Sequence, residues 1–259
     1  MPVISNLGVK IAYEVMGQGR PLVLLHGWLC DRSWWAETGY LDDLRRDHRL
    51  VCVDMRGHGQ SDKPHEPAAY HAASFVSDVL AVADAEGLDR FAMWGLSYGG
   101  WVAWQTADSS PRRVPALIST GSWDPGPGTH EDWLAFTEPD LDVIRREGMA
   151  AVIDRYEDEH FQFPDAVRAA MLRSDPEAML ACQSSELTSD GVSSLEGFAV
   201  PALVIVGELE DEDGGAARTA AMIAHGESLT LPGLGHAAAC AASDLTIPTA
   251  RAFLDRWFV

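Results

Sequence analysis

The chain has 259 residues, a length that fits one α/β domain and requires no second one. With 39 acidic and 19 basic residues its formal net charge is −20, and so negative a surface disfavours nucleic acid and anionic membranes as partners. Four cysteines are scattered along the chain without the paired spacing of a metal or redox motif. We therefore expect reduced thiols and no metal ion.

The N-terminal residues Met1–Asn6 lack a basic region followed by a long apolar run. They are typical of neither a signal peptide nor a membrane anchor. The sequence therefore predicts a cytoplasmic protein.

The first half of the chain alternates short apolar segments with segments of helical periodicity. The pattern predicts an antiparallel entry strand over residues 9–15. It then predicts strands over 22–26, 49–54, 90–95 and 114–119 and helices over 33–46, 73–87 and 98–109. This alternation is typical of an α/β fold, in which a mostly parallel sheet carries helices on both faces.

The alternation stops between residues 121 and 199, where the apolar residues follow a helical spacing instead. Residues 140–158 and 166–180 are the predicted helical segments, with Pro139, Pro164 and Pro176 as breaks. The chain therefore contains a helical insertion after the last of the early strands.

Residues Gly95–Gly99 have the pattern of a nucleophile elbow, because they follow an apolar strand-like run and precede a helix-prone one. Small residues two positions before and after Ser97 permit the strained turn that exposes its hydroxyl at a helix N-terminus. A serine hydroxyl is a poor nucleophile near neutral pH, so this interpretation requires a histidine base and an orienting carboxylate.

Both partners are found further along the chain. The apolar run 201–206 predicts a buried strand that ends in acidic residues, where Glu210 is the first candidate acid and Asp211 an alternative. A second short strand over 228–232 is followed by a turn that contains His236. The order serine, acid, histidine is the one used by α/β-hydrolase triads.

With these residues the chain resembles the α/β-hydrolase superfamily over nearly all of its length. Residues 22–28 are similar to the early strand and oxyanion loop, and residues 54–62 to the turn after the next strand. The chain departs from many relatives at the acid, since Glu210 stands where they carry Asp. The resemblance implies a hydrolase core over 1–120 and 200–259, with residues 121–199 forming a helical cap after the sixth strand.

The resemblance also implies the role of each site residue. Ser97 attacks a carbonyl carbon, His236 accepts and returns the proton, and Glu210 orients the imidazole. The backbone N–H groups of Trp28 and Tyr98 are expected to form the oxyanion hole.

Two other acids stay open, Asp211 beside Glu210 and Asp124 after the sixth strand. His26, His58 and Arg56 are expected to hold loops together by hydrogen bonds and to take no part in the chemistry.

The predicted reaction is hydrolysis of a small-molecule carboxylic ester or lactone through an acyl-enzyme, with no cofactor. The open alternatives are a cofactor-free perhydrolase or haloperoxidase, a hydrolase of carbon–carbon bonds, and a small-molecule receptor without catalysis. Serine at position 97 disfavours dehalogenases and epoxide hydrolases, for which an aspartate is expected there. We expect a monomer or homodimer.

Overall fold

The computed structural model describes residues 1–122, 130–157, 160–185, 192 and 194–258, with the side chains of 130–134 left out. Its centre is an eight-stranded sheet with the strand order β1-β2-β4-β3-β5-β6-β7-β8. The strands are β1 (Val3–Asn6), β2 (Val9–Met16), β3 (Arg20–Leu25), β4 (His48–Val53), β5 (Ala92–Leu96), β6 (Leu117–Thr120), β7 (Ala202–Gly207) and β8 (Gly226–Leu231). The β1–β2 and β2–β4 pairs are antiparallel and the five others parallel. The antiparallel entry strand β2 and the mostly parallel sheet agree with the sequence prediction.

Helices follow most of the strands. Those in the described ranges are α1 (Ser33–Glu37), α2 (Tyr40–Leu44), α3 (Ala72–Ala85), α4 (Tyr98–Ser109), α5 (His130–Glu147), α6 (Met149–Asp154), α7 (Asp165–Leu172), α8 (Pro176–Gln183), α9 (Gly215–Met222), α10 (His236–Ala241) and α11 (Ser243–Trp257). A 3-10 turn, Pro67–Tyr70, precedes α3. Within these ranges, no helix combines the length and the apolar character that crossing a lipid bilayer requires.

The central strands are buried on both faces. In β7, Leu203 and Ile205 join the core cluster on one side of the sheet, and Val204 and Val206 join the cluster on the other. Such strands have continuous apolar sequences, because successive side chains point to opposite faces that are both covered. This burial gives the sheet a rigid edge on which loops are positioned.

Three features of the secondary structure differ from the sequence prediction. Residues 33–46 form two short helices, because Gly39 between them has a φ of 85° that ends the first. Strand β1 was not predicted; it is a short edge strand whose Val3 is half exposed. Pro139 lies inside α5 and does not break it, because Leu141 and Ile144 continue the buried face of that helix.

Helices α5–α8, which we call the inserted helices, lie between β6 and β7 in the chain. Helix α7 packs against α1, and α8 packs against the 3-10 turn. The interval therefore has the predicted helical character. Its division from the core as a separate cap stays a prediction.

Candidate active site

Ser97 lies in a sharp turn between β5 and α4, with φ 51° and ψ −116°. Its N–H donates to Thr120 O at 2.7 Å, which ties the turn to the neighbouring strand. A Cβ on Gly95 would lie 2.2 Å from Gly99 O, and a Cβ on Gly99 would lie 2.4 Å from His26 O. Only glycine fits at both positions, so the close approach of backbones explains the spacing of small residues around Ser97.

His236 begins α10 and lies between Ser97 and Glu210. Its Nε2 is 2.9 Å from Ser97 Oγ, and its Nδ1 is 2.5 Å from Glu210 Oε2. The second carboxylate oxygen, Glu210 Oε1, accepts from Gly207 N at 2.9 Å. A Cβ on Gly121 would lie 2.8 Å from the imidazole Cε1, so glycine there leaves room for the ring. The hydrogen bonds form one continuous chain from carboxylate to hydroxyl.

The hydrogen-bonded side chains differ in their exposure to solvent. The His236 side chain is 34% exposed, whereas that of Glu210 is 11% exposed. A small molecule can therefore approach the imidazole, while the carboxylate lies in surroundings of lower effective dielectric, where its attraction for an imidazolium is stronger.

The two alternative acids do not lie at the imidazole in the described structure. Asp211 Oδ1 accepts from Gly215 N at 2.6 Å, and its carboxylate also accepts from Ala216 N, so this side chain caps the start of α9. Asp124 falls outside the described residues. Among the described acids near the end of β7, Glu210 is therefore the one that contacts His236.

The loop after β3 passes beside Ser97. A Cβ on Gly27 would lie 3.5 Å from Ser97 Cβ, and Trp28 follows directly. Cys30 N donates to Gly27 O at 3.2 Å and closes a tight turn. Tyr98 follows Ser97 directly as the first residue of α4. Of the two residues expected to supply oxyanion-hole N–H groups, Tyr98 is therefore adjacent to Ser97 in sequence, and Trp28 follows the glycine that lies beside Ser97 in space.

A family model described as the alpha/beta hydrolase fold matches residues 20–191, more than half of the chain. The chain belongs to the α/β-hydrolase family. The eight-stranded sheet described above is consistent with this family.

Individual relatives of the chain differ in the activities that their names give. It is 27% identical over 231 residues to a putative 2-succinyl-6-hydroxy-2,4-cyclohexadiene-1-carboxylate synthase of Bacillus subtilis, covering 81% of each chain. It is 30% identical to epoxide hydrolase 4 of Mus musculus over 117 residues, which are 44% of this chain and only 32% of that protein. The crystal structure of the enol-lactonase from Burkholderia xenovorans has the same fold, with a TM-score of 0.84, 24% identity, and coverage of 98% of this chain and 100% of that one.

Two histidines near the site of the hydrolase are fully buried. His26 Nε2 accepts from Met55 N at 3.1 Å, and its Nδ1–H donates to Gly27 O at 2.8 Å. The ring of His58 lies 5.1 Å away, and its Nδ1–H donates to Arg56 O at 2.9 Å. Burial lowers the pKa of His26 and lowers that of His58 to about 3. Both rings are therefore neutral; His26 connects the loop after β3 to the turn after β4, and the hydrogen bond of His58 stays within its own turn.

Sequence reasoning missed the role of Asp54, at the end of β4. This fully buried carboxylate accepts from Arg32 N at 2.9 Å and Gln60 N at 2.8 Å, and it forms an ion pair with the Arg32 guanidinium. A Cβ on Gly59 would lie 2.3 Å from Asp54 Cγ. The signal in the sequence was an acid at a strand end followed by closely spaced glycines. Asp54 thus holds the loop after β3 and the turn after β4 together.

Arg56, in the same turn, has the loop-holding role that the sequence suggested. Its Nε and Nη2 donate to the two oxygens of Asp78 at 2.7 and 2.8 Å, and its Nη1 donates to Ala69 O. Both side chains of the pair are almost completely buried.

The large apolar residues between β6 and β7 divide into three groups. Met149, Phe163, Met171 and Met179 are buried in the core cluster on one face of the sheet, and Tyr156 and Phe161 pack partly buried against it. Phe136 is 78% exposed and does not belong to the buried cluster. The side chain of Trp133 lies outside the described part. Most of these residues stabilise the packing of the insertion on the core.

Proposed function

We propose that the hydrolase cleaves carboxylic ester or lactone bonds of a small molecule through an acyl-enzyme on Ser97. The observation that carries this proposal is the continuous hydrogen-bond chain from Glu210 through His236 to Ser97 Oγ, at 2.5 and 2.9 Å. A hydroxyl paired with an oriented imidazole is the arrangement that makes serine nucleophilic.

In the first half of the reaction, Ser97 Oγ attacks the carbonyl carbon while its proton passes to His236 Nε2. Glu210 stabilises the resulting imidazolium through Nδ1–H. The tetrahedral intermediate collapses as the imidazolium protonates the departing alkoxide oxygen, which leaves as an alcohol. Ser97 then carries the acyl group as an ester.

In the second half, water attacks the acyl carbon and gives its proton to His236 Nε2. Collapse of the second tetrahedral intermediate returns the proton to Ser97 Oγ and releases the carboxylic acid. In both intermediates the backbone N–H groups of Trp28 and Tyr98 donate to the oxyanion. Each such donor lowers the barrier by about 3 kcal/mol in comparable sites.

The identity of the nucleophile supports an acyl substrate over an epoxide. Position 97 is serine, whereas the family resemblance associates epoxide hydrolases with aspartate at the elbow. The enol-lactonase of the same fold acts, by its name, on a lactone.

We further propose that the inserted helices belong to a cap over the site, within residues 121–199, with 1–120 and 200–259 as the core. The support is that the turn between α7 and α8 contacts the loop beside Ser97: Ser174 Oγ–H donates to Leu29 O at 3.1 Å. A cap in this position would determine which substrates reach the nucleophile.

The test measures hydrolysis of p-nitrophenyl esters of short and medium chain length, and of several lactones, by the purified protein. We expect Ser97→Ala to reduce turnover to background and Glu210→Gln to lower kcat by about 10²- to 10⁴-fold, because the imidazole loses its orienting charge. Asp211→Asn, the matched control one residue away, keeps kcat within about twofold since it contacts α9.

Two results would contradict the proposal. Wild-type turnover no higher than that of Ser97→Ala would rule out hydrolysis of these esters and lactones as the activity. It would favour peroxide-dependent chemistry or ligand sensing. Loss of activity in Asp211→Asn with retention in Glu210→Gln would reverse the assignment of the acid.

A further inference from the structure

Leu29, in the oxyanion loop, has a backbone conformation that leucine rarely adopts. Its φ is 66°, and it occupies the third position of the turn closed by Cys30 N and Gly27 O. A positive φ at this position is typical of type II turns, which favour glycine or asparagine there. The Leu29 side chain is 1% exposed, so its burial opposes any rearrangement of the turn. Strain of this kind persists only where the surroundings hold it.

One of these holding contacts comes from the inserted helices. Ser174, in the turn between α7 and α8, donates its hydroxyl to Leu29 O at 3.1 Å, across 145 residues of sequence. The position of Ser174 is itself determined by the end of α7, since its N–H donates to Met171 O at 3.0 Å. The hydrogen bond from the Ser174 hydroxyl fixes the orientation of the carbonyl group of Leu29, the residue with the positive φ.

A second contact joins the same helical hairpin to the other side of the nucleophile. Cys182, in α8, lies with its Sγ 3.4 Å from the Tyr98 hydroxyl, and both side chains are buried. The α7–α8 hairpin therefore contacts the residue after Trp28 through Ser174, and Tyr98 itself through Cys182. Trp28 and Tyr98 are the residues whose N–H groups we assign to the oxyanion hole.

We propose that Ser174 is a positioning residue that holds the strained Leu29 turn, and with it the Trp28 N–H, so that the oxyanion hole is complete only while the α7–α8 hairpin is docked. This inference rests on the proposed function, because it needs an oxyanion that Trp28 N–H stabilises. Without the Ser174 hydroxyl, Leu29 loses one of the contacts that hold its positive φ, and partial relaxation of the turn shifts the preceding N–H. A donor that is misplaced for the transition state lowers kcat and leaves substrate binding unchanged.

The test compares Ser174→Ala with Ser174→Thr, which keeps a hydroxyl, and with Ser109→Ala as the matched control. Ser109 also donates its hydroxyl to a backbone carbonyl at 3.1 Å, but that carbonyl is Thr106 O in the last turn of α4. We measure kcat and KM on a p-nitrophenyl ester, and amide hydrogen exchange of residues 26–32 by mass spectrometry.

We expect Ser174→Ala to lower kcat by about 10- to 100-fold, with KM within about twofold, because a small displacement of a transition-state donor has an effect of this size. Exchange of the 26–32 amides should become faster in the same variant. Ser174→Thr should restore most of kcat and the slow exchange, and Ser109→Ala should match the wild type in both measurements.

The two readouts separate failure of the inference from failure of the proposed function. Wild-type kcat and exchange in Ser174→Ala would overturn the positioning role while ester hydrolysis stands. A fall in kcat that Ser174→Thr does not reverse, or a rise in KM equal to the fall in kcat, would also overturn it. Faster exchange in a protein that hydrolyses no ester would keep the loop-holding role of Ser174 and reject the chemistry.

Discussion

At the scale of single residues, the two acids at the end of β7 have different partners one position apart. Glu210 reaches back to Gly207 N and across to His236, whereas Asp211 points to the first N–H groups of α9. A carboxylate at such a helix start satisfies donors that have no partner within the helix. Of the two neighbouring carboxylates, one therefore contacts the imidazole and the other caps a helix.

Asp211→Ala is expected to lower the free energy of unfolding by about 1 to 2 kcal/mol, the usual effect of losing a helix cap. Its kcat per folded molecule should equal that of the wild type, because Asp211 does not contact His236 in the structure. Urea unfolding followed by circular dichroism, alongside ester turnover, measures both quantities. An Asp211→Ala protein of full stability but no activity would contradict this assignment.

At the scale of elements, the start of α8 is held by charge to the loop that precedes the 3-10 turn. His65 Nε2 lies 3.1 Å from Asp175 Oδ2, and its Nδ1 lies 2.8 Å from Glu177 Oε2. Asp175 also caps α8 by accepting from Glu177 N and Ala178 N. A protonated imidazole can donate to both carboxylates, and a neutral one to only one of them.

The hydrogen bond to Asp175 raises the pKa of His65 above 6.5, and the charges of Asp175, Glu177 and Glu66 act in the same direction. A raised folded-state pKa gives stability that is complete below pH 6.5 and lost as pH rises through the folded pKa. At about pH 5.5 we therefore expect the wild type to have a higher melting temperature than His65→Gln, and we expect this difference to disappear by about pH 9. A difference in melting temperature that is constant across this range would contradict a stabilising role of the two ion pairs.

At the scale of the whole molecule, the four thiols are distributed through the buried interior. Burial raises the pKa of Cys52 and of Cys182 to about 12 and raises the pKa of Cys30 and Cys240 as well. Only the thiolate reacts with disulfide reagents, so the native fold protects all four.

Native protein at about pH 8 is therefore expected to react with fewer than one equivalent of Ellman's reagent over several minutes, and with four after unfolding in guanidinium chloride. The absorbance of the released thiolate measures both. Rapid labelling of the native protein would show that at least one thiol is accessible, contrary to its burial.

Much of the fold was predictable because its signals are local. The apolar run before Gly207 and the glycines around Ser97 report burial and close backbone approach directly, and the parallel sheet with its helices is confirmed. The missed features depend on context. Strand β1 is short and half exposed, and Pro139 lies within α5, which packs against α6 and α8.

The sequence by itself determined the alternation of strands β2–β6 with their helices, the strands β7 and β8, and the residue types at the candidate site, since periodicity and turn chemistry act between near neighbours. Only the tertiary structure decided that Glu210 and not Asp211 meets His236, that Asp54 joins two loops, and that Ser174 contacts Leu29. These contacts join residues distant in sequence or depend on the direction of one side chain in a turn. Packing of the whole chain decides them, because no local pattern specifies which distant groups meet at the sheet edge.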